Sequence, residues 1–148
     1  MPHVTLDIGL NGPTLNVLIG VSEGRARALA AAGRPIPNLI ATSALVDTGA
    51  SHTCLDVWIT KALGLDPTGQ VEVNAPSAEG DPRPADQYDV SLVIPAAIGE
   101  SPFVLPTLAV FCSDLHATSA FDVLLGRDVL ASCLLNYDGR SGQFTLAY

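Results

Sequence analysis

Apolar and polar side chains alternate over residues 3–8 and again over 15–21, the two-residue period of half-buried strands. Asn11-Gly12-Pro13 supplies a turn between them, so the start of the chain reads as a hairpin. Ser22 is placed to cap a helix over 23–32, with Glu23 in its first turn, Gly33 as its stop, and Pro35 and Pro37 beyond. That helix has few large apolar residues, which marks it as a surface insertion. A strand follows over 40–46, and Asp56 caps a short helix over 57–63 that ends at Gly64. Further strands are expected at 71–74, 88–94, 104–111 and 121–125, and one or two helical turns at 129–134. Asn136-Tyr137-Asp138, the turn Gly139-Arg140-Ser141-Gly142 and residues 143–148 close with a hairpin. Many short strands, frequent turns and little helix predict an all-β fold in which a sheet closes, or partly closes, into a barrel. No repeat or linker interrupts the pattern, so residues 1–148 read as a single domain.

Composition narrows the possibilities. At 148 residues the chain builds one good core but not two. Hydrophobic residues make up 48% and charged residues only 15%, an apolar surplus that a subunit interface would absorb. A net charge of −8 argues against nucleic-acid binding, which needs clustered Lys and Arg. No apolar run reaches the 18 or so residues of a membrane span, and no charged segment followed by an apolar one marks a secretory signal near Met1, so a cytoplasmic location is expected. The 3 cysteines, Cys54, Cys112 and Cys133, are scattered without a CxxC pair and read as reduced thiols. His3, His52 and His116 show no ligand-type spacing, so no metal and no cofactor are expected.

The segment Ala44-Leu45-Val46-Asp47-Thr48-Gly49-Ala50-Ser51 carries the chemistry. An apolar strand ends in an acid and turns at once through small residues, which puts a carboxylate where the interior meets a cleft. Gly49 lets the chain turn sharply and brings backbone N–H groups to that carboxylate. An acid at a strand end often only caps a turn, and it is the surrounding pattern that favours a catalytic role here. Gly49-Ala50-Ser51-His52-Thr53 half resembles a nucleophile elbow around Ser51, but the final glycine is missing and no hydrolase-type helix follows. A phosphatase would need a second Asp at the position of Gly49.

A second segment, Phe121-Asp122-Val123-Leu124-Leu125-Gly126-Arg127-Asp128, runs an apolar strand into glycine and a charged pair. Together the two segments resemble the retropepsin family of single-domain, retroviral-type aspartic peptidases. Leu45-Val46-Asp47-Thr48-Gly49-Ala50 matches the family's catalytic loop, and Leu124, Leu125, Gly126, Arg127 and Asp128 match its psi loop, the strand that crosses behind that loop. The resemblance implies a closed barrel of retropepsin type with a short helix after the psi loop. It implies that Asp47, Thr48 and Gly49 are catalytic and that Ala50, Ser51 and His52 contact substrate. By position, 75–86 corresponds to the flap, with Ser77, Ala78, Glu79 and Gly80 over the substrate; read alone, this stretch is a plain surface hairpin. Viral members usually carry an acid after the Ala, paired with the psi-loop Arg; here Ser51 stands there, leaving the partner of Arg127 open.

Aspartic peptidases use two carboxylates sharing one proton. This chain has one Asp-Thr-Gly loop and is about half the length of a bilobal enzyme. The implied unit is therefore a homodimer with one Asp47 from each subunit, acting on a polypeptide held as an extended strand. Family members interleave terminal strands between subunits, which places 3–8 and 143–148 at the subunit boundary. The competing expectation is a retropepsin-fold domain that binds peptides or assembles subunits without cutting.

Overall fold

A computed structural model describes residues 1–73, 82–115 and 120–148. Its elements in chain order are β1 (His3–Asp7), β2 (Thr14–Val21), α1 (Glu23–Ala31), β3 (Ile40–Val46), β4 (Cys54–Asp56), α2 (Val57–Ala62), β5 (Gly69–Val73), β6 (Arg83–Ile94), β7 (Phe103–Ser113), β8 (Val123–Leu125), α3 (Arg127–Leu130), β9 (Leu134–Asp138) and β10 (Gln143–Ala147). Hydrogen-bonded neighbours run β2-β3-β8-β4-β7-β6, and β6 returns to β2 through pairs from Leu18↔Val93 to Val21↔Val90. The ring is therefore a closed barrel, as expected from the sequence. β5 hangs from β6 outside the ring, paired antiparallel from Gly69↔Gln87 to Val73↔Arg83.

Strand alternation fills the barrel. Leu15, Val17, Ile19 and Val21 of β2 point inward, as do Val90, Leu92 and Ile94 of β6. They meet Leu55, Val110, Val123 and Leu125 in one core. Each such side chain contributes about 1.5–3 kcal/mol by leaving water. A smaller sheet, β1-β10-β9, packs Phe144 and Leu146 into the same core.

Both helices of more than one turn begin and end as their sequences dictate. The Ser22 hydroxyl accepts a hydrogen bond from the Arg25 N–H at the start of α1, and Gly33 stops the helix in the left-handed region at φ 66°. Only Leu29 of α1 is buried, so the helix does lie on the surface. At α2 the buried Asp56 carboxylate accepts from the Trp58 N–H at 3.0 Å, and Gly64 ends the helix at φ 61°. The same carboxylate takes the Leu115 N–H at 2.8 Å, which ties the end of β7 to the helix cap.

Four expectations need correction. The first two strands do not form a hairpin: β1 pairs with β10 near the other end of the chain, from His3↔Ala147 to Asp7↔Gln143, while β2 pairs with β3 and β6. The turn at Gly9–Gly12 closes with a single bridge and then redirects the chain between sheets. Strand β4 was not foreseen, because three residues are too few to show a period. The helix after Gly126 ends at Leu130, and Leu134 already begins β9. Finally, β10 is the central strand of its sheet, with β1 on one side and β9 on the other. Both of its edges are used within the chain, so 143–147 has none left to interleave with a partner. The three cysteines are free thiols, as expected, and no described helix is long and apolar enough to cross a membrane.

Candidate active site

β3 delivers Asp47 to the end of the barrel. Its backbone N–H donates to the Leu125 carbonyl at 3.0 Å, which continues the parallel pairing of β3 with β8 (Ala44↔Val123 to Val46↔Leu125). The Asp47 carboxylate accepts from the Gly49 N–H at 2.8 Å, and the Ala50 N–H closes the turn on the Asp47 carbonyl at 3.3 Å. A Cβ at position 49 would sit 3.1 Å from that same carboxylate oxygen, so glycine is what lets the N–H approach it. Thr48 is exposed, and its hydroxyl has no partner among the described residues.

β8 threads between the two arms of this loop. It runs parallel to β3 on one side and antiparallel to β4 on the other, through Cys54↔Leu124 and Leu55↔Val123. Where the chain crosses, Gly126 lies so close to the loop that a Cβ there would come 2.5 Å from the His52 carbonyl carbon and 2.8 Å from the Thr53 nitrogen. Both are backbone atoms with no room to yield. The crossing is pinned by Thr53, which is fully buried. Its N–H and its hydroxyl donate to the two Asp128 carboxylate oxygens, each at 2.8 Å, and the hydroxyl accepts from the Gly126 N–H at 3.1 Å. Asp128 in turn accepts from the Val129 N–H at 2.9 Å at the first turn of α3. On the far side the Arg127 N–H donates to the Ala50 carbonyl at 2.9 Å. The Arg127 side chain is exposed and forms no ion pair among the described residues.

Asp47 opens into a cleft of about 580 Å³. Its floor and near wall are Asp47, Gly49, Ala50, Ser51, His52, Cys54 and Leu124; Val71, Glu72 and Val73 of β5 and Phe111, Ser113 and Leu115 form the rest. Of the residues singled out in the sequence, the cleft gathers Asp47, Gly49, Ala50, Ser51, His52 and Leu124, while Leu125, Gly126, Arg127 and Asp128 stand behind it. Ser77, Ala78, Glu79 and Gly80 lie outside the described residues, as does the tip of the expected flap; the strands leading to and from it, β5 and β6, are paired, and β5 walls the cleft. Sequence reading missed Thr53 and the walls from β5 and β7. A polar residue three positions before the capping Asp56 was the available signal for Thr53.

The competing nucleophiles do not fit. The Ser51 hydroxyl lies 3.1 Å from His52 Nδ1, but both side chains are exposed on one turn and, among the described residues, no third group hydrogen-bonds the imidazole. Burial pushes the Cys54 thiol up to about 12, so it carries no thiolate at neutral pH. Among the described residues no three His, Cys, Asp or Glu side chains group into a metal site.

A family profile described as "Aspartyl protease" matches residues 36–129, more than half of the chain and the span from the start of β3 to α3. No curated protein matches by sequence. Among solved structures the chain is similar to a retropepsin-like aspartic protease from Rickettsia conorii, with 18% identity, a TM-score of 0.56, and coverage of 99% of this chain and 90% of that one. The retroviral protease-like domain of Ddi1 from Leishmania major aligns with 15% identity, a TM-score of 0.37, and 86% and 83% coverage.

Proposed function

Because the chain belongs to the aspartyl protease family, we propose that it is an aspartic endopeptidase, active as a homodimer in which each subunit contributes one Asp47. The observation that carries this reading is a single Asp-Thr-Gly turn whose carboxylate is held at a cleft by the Gly49 N–H. One carboxylate alone supplies either a base or an acid; the reaction needs both at once. A second copy of the loop, related by a two-fold axis, completes the pair. The unpartnered Thr48 hydroxyl is then available to bond across that axis.

In the assembled site a water sits between the two carboxyl groups. The ionised Asp47 takes its proton as the oxygen attacks the scissile carbonyl. The protonated Asp47 gives a hydrogen bond to the developing oxyanion and then helps the amine leave. Gly49 and Ala50 offer backbone groups to an extended peptide, and β5 forms a wall along which such a strand would lie. Ser51 and His52 contact substrate at the rim. Leu124, Leu125, Gly126, Arg127 and Asp128 hold the loop from behind. The residues themselves supply the whole of this chemistry.

Incubating the purified protein with a mixed peptide library and reading new termini by mass spectrometry tests the proposal. Wild type generates termini and Asp47→Asn generates none. Peptide retention without new termini from a dimeric wild type would instead favour the non-cleaving, peptide-binding reading.

A further inference from the structure

Resting on the homodimer reading, we propose that the two subunits join edge to edge through β9, in an antiparallel pair centred on Asn136, so that two three-stranded sheets become one of six. The terminal sheet has two outer edges among the described residues, β1 and β9. The β1 edge is guarded. Its outward His3 N–H is taken by the Glu100 carboxylate at 3.1 Å. No described strand pairs with the outer edge of β9.

The direction of its free groups follows from strand alternation. Tyr148 donates its N–H to Pro2 and Ile8 to Gly142, so the even-numbered residues of β10 face β1 and the odd-numbered ones face β9. Their β9 partners are Asp138, Asn136 and Leu134. The N–H and C=O groups of Leu135 and Tyr137 therefore point outward. A two-fold axis normal to the sheet at Asn136 sets Leu135 of one subunit against Tyr137 of the other, and both residues of each pair exchange hydrogen bonds. The strand is self-complementary in register without any shift.

Side chains agree with this register. Tyr137 is in the row of Phe144 and Leu6, on the face of the sheet that packs the core. Phe144 is 1% exposed, whereas Tyr137 is 57% exposed, so the apolar face runs past the core at this edge. Strand addition continues that face and brings Leu135 of the second copy beside Tyr137. An axis normal to the sheet also leaves both barrels on the same side of it, as a shared site requires. Beyond Asn136 the other face carries mainly polar groups, including the Thr5–Thr145 hydroxyl pair and Gln143 bonded to Asp7.

Asn136 would be a non-hydrogen-bonded pair with itself, with Cα atoms about 4.5 Å apart, within the range a disulfide spans. Asn136→Cys should form a disulfide-linked dimer under mild oxidation, with the 136–136 link found by peptide mapping. The wild type, with its three native thiols, should form none. Asn136→Lys and Asn136→Glu each place like charges face to face and should weaken dimerisation about tenfold or more by sedimentation, while an equimolar mixture recovers wild-type affinity. Asn136 is exposed, so unchanged melting temperatures will show that the fold is intact. Charged variants that dimerise like wild type, or a cysteine variant that stays unlinked while dimeric, overturn the β9 interface and leave the two-Asp47 reading standing. A wild type that cleaves peptides as a monomer overturns both.

Discussion

At the residue scale the proposed site divides into a group that would react and groups that hold it. Asp47→Asn keeps shape and the Gly49 N–H contact but cannot accept a proton from water; activity should fall by at least about 10²–10⁴, with the melting temperature unchanged. Ser51→Ala should keep turnover, because the Ser51 hydroxyl, bonded to His52 among the described residues, takes no part in the proton transfers; loss of activity in a folded protein would revive the serine alternative. Thr53 acts from behind. Replacing it with Val strands the buried Gly126 N–H, at a cost of about 1–3 kcal/mol, while the Asp128 oxygen that loses the hydroxyl keeps the Val129 N–H. Thr53→Ser keeps the hydroxyl and should recover most of that stability in a denaturant titration. The thiols give the chain a pH dependence with a definite sign. Burial raises the Cys54 pKa from 9.0 to about 12, with nearby Cys112 and Asp56 adding to it. The unfolded chain therefore releases this proton first, and stability declines from about pH 9 to about pH 12 by at most ~1.4 kcal/mol per unit. Below pH 9 this contribution is fully present. Cys54→Ala should flatten that alkaline limb, apart from what Cys112, raised to about 11, still contributes; an unchanged limb would mean that the thiol does not titrate as buried.

At the scale of elements, what the sequence showed was local and what it hid was pairing. The strand over residues 40–46 and the Asp56 cap rest on a few adjacent residues, the turn through Asp47-Thr48-Gly49 and the Gly126 crossing on two short segments that resemble a known family, and the structure has all four. Partners across long separations are another matter. Thr14 could as well have continued the hairpin from Asp7; only the closure of the barrel, which gives β2 two neighbours in β3 and β6, sends β1 to β10 instead. Strand β4 exists because β8 and β7 flank it, not because Cys-Leu-Asp prefers to extend. The same logic makes the crossing at Gly126 fragile. Gly126→Ala forces a methyl against the backbone of His52 and Thr53, so the two strands of the psi loop must part. The expected loss is about 1–3 kcal/mol or more, and activity should fall with it as Asp47 moves. Full stability and activity in that variant would show that the crossing is looser than its geometry.

At the scale of the whole molecule, one carboxylate per chain has a consequence that no single-chain property can imitate. If each active unit takes one Asp47 from each subunit, a subunit carrying Asp47→Asn spoils every partner it meets. Random exchange between equal amounts of wild type and variant leaves about half of the wild-type chains in wild-type pairs, and a ninefold excess of variant leaves about one in ten. Cleavage per wild-type chain should fall in the same proportions. Incubating the mixture below the dimer dissociation constant before concentrating it allows the exchange, and the decline should then appear at the rate of subunit exchange rather than at once. Dilution of wild type alone should likewise reduce activity per chain as dimers separate. The pattern discriminates sharply. An enzyme whose single Asp47 suffices would ignore the variant apart from competition for substrate, which saturating peptide removes. A variant that quenches activity only at low peptide concentration, and without delay, would therefore show that the completed site lies within one chain after all.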